Sequence, residues 1–124
     1  SSDRAISSLS GAQDTVEKCI QFSPRGISVE QAERLCTGAV SLDPVNCVNS
    51  TPGGITMDQA VALCAGATSD APSKCIKSSP GGITMDLAVA LCAGATSDAP
   101  IRCMNSSTKG MTMEEAVDRC RRAR

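Results

Sequence analysis

The side chains of this chain that can do chemistry fall into three sets, each with a regular spacing. Cysteines stand at Cys19, Cys36, Cys47, Cys64, Cys75, Cys92, Cys103 and Cys120, with intervals that alternate 17 and 11. Thiols at fixed intervals can form disulfides, hold a soft metal or run redox exchange. Four carboxylates, Glu30, Asp58, Asp86 and Glu114, share one place in the same rhythm. Two carboxyl groups brought together can serve as general acid and base. Met57, Met85 and Met113 form a third column, joined by Met104 and Met111, and thioethers are ligands for copper.

Most of this chemistry is weighed down by what is missing. Structural zinc usually draws on C-x-x-C-type pairs, often with His, whereas here the nearest cysteines are 11 apart and His is absent. No metal site and no cofactor is expected. The lack of His also removes Ser-His-Asp and Cys-His nucleophile machinery, and no C-x-x-C redox pair exists. The acidic column reads as the first turn of four separate helices, and the methionine column as packing on a helix face. The Pro-Gly-Gly segments lack the G-x-x-x-x-G-K pattern of a phosphate loop. The expectation is that the protein is not an enzyme and has no catalytic residue.

The elements that position these residues follow from a repeat. Residues 47–74 and 75–102 are nearly the same 28 residues written twice, and the cysteine rhythm extends that period to units 19–46 and 103–124. A period of this size marks stacked supersecondary units. Each unit predicts two helices. In the second, Thr84 is the N-cap, Asp86 lies in the first turn and Gly94 at the C-terminal cap, with Met85, Ala88, Cys92 and Ala95 on one apolar stripe. Capping boxes are expected at Ser28 with Gln31, Thr56 with Gln59, and Thr112 with Glu115. The first helix takes Ser69 or Asp70 as N-cap with Pro72 in its first turn, and ends before a turn containing Pro80 and two glycines. Residues 3–12 align under residues 86–95, placing Leu9 in the cysteine column. Residues 1–18 thus read as a degenerate half-repeat and a first helix, within a single repeat domain 1–124. The fold class predicted is all-α: a short α-solenoid of helical hairpins, of unassigned handedness, each stapled by a disulfide.

Two disulfide schemes share the period. Links of 17 residues close each hairpin as Cys19–Cys36, Cys47–Cys64, Cys75–Cys92 and Cys103–Cys120, while links of 11 join neighbouring hairpins and strand Cys19 and Cys120. Parity favours the first scheme, and so does Leu9, which lacks a hairpin partner. Helical rise mildly favours the second, since Cys92 lies beyond the point opposite Cys75. The expectation is the intra-hairpin set. At the C-terminal end, Leu35, Leu63 and Leu91 give way to Arg119, and Ala62 and Ala90 to Asp118, as terminal repeats with polar outer faces require.

Composition supplies the rest. Lys+Arg 12 against Asp+Glu 13 gives no electrostatic footprint for nucleic acid or an anionic membrane, and no run approaches the ~20 apolar residues of a transmembrane helix. Arg119, Arg121, Arg122 and Arg124 suit the C-terminal end of a helix dipole. With one Phe, no Tyr and no Trp, the core is built of small residues and needs covalent help. An even, regular cysteine count points to an extracytoplasmic oxidising compartment (secreted, periplasmic or an organelle lumen), with any signal peptide already removed. Asn49-Ser50-Thr51 and Asn105-Ser106-Ser107 match the glycosylation sequon at equivalent places.

In kind, the regularly spaced hairpin cysteines resemble the cysteine-rich Sel1-like repeat proteins. Units there are longer and carry another consensus, so the resemblance implies no function or site here. Plant lipid-transfer proteins are also all-α with eight cysteines, but their adjacent C-C and C-x-C pairs are missing. The function expected is a non-enzymatic scaffold or protein-binding module, such as an accessory subunit of an extracytoplasmic or lumenal assembly. The alternatives are a carrier of a small apolar ligand or lipid, and a head-to-tail structural polymer.

Overall fold

The computed structural model describes residues 14–106 and 109–123. The proposed half-repeat at residues 3–12, Leu9 included, lies outside them. Among the described residues the secondary structure is entirely helical: α1 (residues 14–21), α2 (Val29–Cys36), α3 (Asp43–Asn49), α4 (Met57–Cys64), α5 (Ala71–Lys77), α6 (Met85–Cys92), α7 (Ala99–Ser106) and α8 (Met113–Cys120). Helices of seven or eight residues are too short to hold in water alone, so packing and caps must fix them.

The second helix of each hairpin carries the stronger caps. Ser28, Thr56, Thr84 and Thr112 each accept a hydrogen bond from the backbone N–H three residues on. The reciprocal half of the box, from the N-cap N–H to the glutamine Oε1, forms at Gln31 and Gln59, 2.9 Å each. It does not form at Glu115. There the Thr112 hydroxyl itself donates to the Glu115 carboxylate, 3.1 Å, so that expected box is only half made. Gly94 lies just past α6 with φ +74°, as do Gly38 and Gly66 after α2 and α4, the left-handed conformation that favours glycine.

The first helices start differently. Asp70 and Leu42 occupy the N-cap places of α5 and α3 without a side-chain cap bond. Ser69, one residue earlier, does the capping: its Oγ accepts from the Ala71 N–H at 3.1 Å, as Ser97 does from Ala99. Pro44, Pro72 and Pro100 are fully buried in the first turns, where a missing N–H leaves no donor unsatisfied. In the turn between helices only the second glycine is left-handed, φ +83° at Gly82. Arg25 and Lys109 accordingly stand where Gly53 and Gly81 stand.

All four bridges are intra-hairpin: Cys19–Cys36, Cys47–Cys64, Cys75–Cys92 and Cys103–Cys120. Their Cα atoms are 5.5 to 5.7 Å apart, within the ordinary disulfide range. Each second helix packs on the next at every junction, while the first helices, such as α3 and α5, meet less closely. One continuous core runs through the stack, built of Ala, Val, Leu, Ile, Met and disulfide sulfur. Phe22, the chain's single aromatic, is 54% exposed, so no ring contributes to it.

Two columns change character at the edges of the described residues. Leu35, Leu63 and Leu91 are buried and their counterpart Arg119 is exposed; Val61, Val89 and Val117 are buried and their counterpart Glu33 is exposed. The leucine column therefore faces the following repeat and the valine column the preceding one. The change of Ala62 and Ala90 to Asp118 carries no such information, because both alanines are already exposed. Residue 118, expected on a stacking face, is therefore not on one.

Candidate functional site

The first-turn carboxylates are placed one per repeat, and the cysteines are paired within each hairpin. Every cysteine is in a disulfide, so none offers a thiolate. Glu30, Asp58, Asp86 and Glu114 each lie in the first turn of a different second helix. No group of three or more His, Cys, Asp or Glu side chains that could hold a metal occurs among the described residues.

Two of these carboxylates have a structural task. Gln31 Nε2 donates to Asp58 Oδ1 at 2.6 Å, and Gln59 Nε2 donates to Asp86 Oδ1 at 2.7 Å. Each glutamine is thus used twice: its carbonyl closes its own capping box and its amide NH2 reaches the next repeat. Arg34 adds a longer ion pair to Asp58, 3.6 Å, exposed and so of small energetic weight. Leu87 stands where Gln31 and Gln59 stand, and having no polar atom it cannot extend the ladder to Glu114. Sequence reasoning found these glutamines only as capping partners. The spacing from each glutamine to the first-turn carboxylate 27 residues later was the available signal.

Above this ladder the second helices present an outward face in three rows. The first is acidic, Glu30, Asp58, Asp86 and Glu114. The second reads Arg34, Ala62, Ala90 and Asp118, and the third Thr37, Ala65, Ala93 and Arg121. All are exposed except Ala93, which is half-buried. Over α4 and α6 the floor is therefore flat and made of alanine. At its C-terminal side an open groove of about 440 Å³ lies between Ala90, Ala93, Arg121 and Arg122.

The opposite face has its own groove, about 390 Å³, between α5 and α7. Ser69, Asp70, Lys74, Ser78, Ser97 and Asp98 line most of it, and Lys74–Asp70 and Arg102–Asp98 are exposed i,i+4 ion pairs there. None of the described helices is long and apolar enough to cross a membrane. The four disulfides fit an oxidising environment. Comparison with protein-family models, with curated proteins and with solved structures finds no match to this chain.

Proposed function

We propose that this protein is a non-enzymatic scaffold, secreted or lumenal, whose second-helix face docks a protein partner in a larger extracytoplasmic assembly. The observation that carries this is the recurrence of exposed residues. A repeat fold needs its buried positions, caps and turn glycines to recur. Here the outward Asp58/Asp86, Ala62/Ala90, Ala65/Ala93 and Thr68/Thr96 recur as well. A partner touching both repeats meets the same side chains twice and gains from simultaneous engagement. Alanine on the floor lets a partner backbone approach closely, and the acidic row beside it favours a partner with basic side chains. A photo-crosslinking residue at position 62 or 90, in extract from the native source, should yield the same adduct. Adducts at neither position, with the native protein isolated as a solitary monomer, sink the reading.

The carrier reading has less in its favour. The larger grooves are open, and the one between α5 and α7 is lined mainly by Ser, Asp, Lys and Thr, unlike the enclosed apolar pockets that take lipid. A co-purifying lipid seen by native mass spectrometry would restore it. For a head-to-tail polymer, Cys19 and Cys120 are both used within their own hairpins. In repeat register Glu115 and Asp118 of one copy would meet Glu30 of the next, a like-charge junction.

A further inference from the structure

Three of the five methionines gather at one junction. Met104, Met111 and Met113 line a single pocket of about 110 Å³, together with Pro80, Thr112 and Ala116. Met104 is buried at 5% exposure, while Met111 and Met113 are half-buried. One thioether is thus fixed in the core and two stand nearer the surface.

The repeat shows how unusual this is within the chain. Places equivalent to Met104 hold Ile20, Val48 and Ile76, and places equivalent to Met111 hold Ile27, Ile55 and Ile83. Only the place of Met113 is methionine elsewhere, as Met57 and Met85. In the corresponding groove at the first junction, Met57 has Val48 and Ile55 for company. Packing alone is met at the other junctions by β-branched aliphatics, which are stiff and specify their surroundings better than methionine. The last repeat replaces both with thioethers, and both replacements fall on the same pocket.

We propose that Met104, Met111 and Met113 form a three-thioether site for a soft monovalent cation, Cu(I) or Ag(I). Neutral sulfur ligands select soft ions and suit neither Zn(II), which takes thiolate, imidazole or carboxylate, nor the oxygen-seeking Ca(II) and Mg(II). Neither thiolate nor imidazole competes within the chain, since every cysteine is bridged and there is no His. Met113 opens α8, whose N-terminal dipole disfavours a cation. Glu114 and Glu115 follow it in the same first turn and supply compensating negative charge.

The test uses the full oxidised chain and silver nitrate, a redox-inert probe, followed by native mass spectrometry and methionine methyl NMR. One silver ion per chain is expected, with the Met104, Met111 and Met113 methyls shifting and those of Met57 and Met85 unmoved. Met104→Ile with Met111→Ile installs the residues of the preceding repeat, Ile76 and Ile83, and so preserves a packing the chain already uses. It should weaken silver binding at least about tenfold while the circular dichroism stays the same. Cu(I), held reduced by ascorbate against a chromophoric chelator, should follow the same order, and Zn(II) should not bind. Absence of one-to-one uptake, equal shifts at all five methyls, or a double variant that binds like the parent would each overturn the site.

Discussion

The interior repeats and the last repeat are built from the same 28-residue plan, yet they solve different problems. In residues 47–102 each second helix has a neighbour on both sides, and its leucine and valine columns are both buried. In residues 103–124 the leucine place holds Arg119, the place of Gly66 and Gly94 holds Arg122, and α8 ends at Arg121 in right-handed conformation with φ −63°. The difference teaches which positions belong to the hairpin and which to the junction. Cysteines and threonine N-caps persist to the end because they serve the hairpin. Leucine disappears because it serves a following repeat, whereas the glutamine ladder already stops one repeat earlier, at Leu87.

Moving residues of the last repeat into an interior one tests that division. Leu63→Arg places a charge at a fully buried position and should cost about 3–5 kcal/mol, visible as loss of a cooperative thermal melt. Its neighbour Ala62→Asp, also copied from the last repeat, should stay within about 0.5 kcal/mol because that side chain is exposed. Equal effects from the two would break the comparison.

Disulfides come next in size. Removing the interior bridge with Cys75→Ala and Cys92→Ala, which opens a link of 17 residues, should cost about 3 kcal/mol of global stability. The same change at Cys103 and Cys120 should instead loosen one hairpin. Hydrogen exchange would then show lost protection in α7 and α8 with α4 and α6 still protected. Reduction of all four bridges in denaturant-free buffer should abolish the melt, given the small, ring-free core.

Smaller effects sharpen the picture. Gly66→Arg forces a side chain into φ +71° and should cost about 1–2 kcal/mol, although there is open space for its Cβ. Gln59→Leu, which copies Leu87, removes one capping contact and the bond to Asp86. Its cost should be about 0.5–1.5 kcal/mol in urea melts, the least of the series.

Much of the fold was legible because its determinants are local or periodic. Thr84 and Gly94 are read at helix ends from their own chemistry, and the 28-residue period gives the stack. The pairing of Cys75 with Cys92 was reached by counting, against a geometric argument that treated the two helices as parallel rods. Ala62 was misplaced because a substitution pattern shows that a column changes, not that the column is buried. Glu33 marks the opposite edge of the described residues by the same kind of change, Val to Glu, and only its exposure shows it. The surface rows and the methionine pocket were beyond reach. The rows join residues of different repeats and depend on how hairpins sit on one another, while the three methionines belong to one hairpin and meet through the packing of α7 on α8 beside Pro80.

The sequence by itself determined the units: where helices start and stop, which cysteines can be partners, and that a core of small aliphatics needs covalent reinforcement. These follow from backbone preferences and from spacing along one chain. Only the tertiary structure decided which columns face a neighbour, that Gln31 and Gln59 each reach a carboxylate of the next repeat, and that three thioethers share one pocket. Such contacts are set by the crossing and offset of packed helices, quantities that a one-dimensional period leaves free.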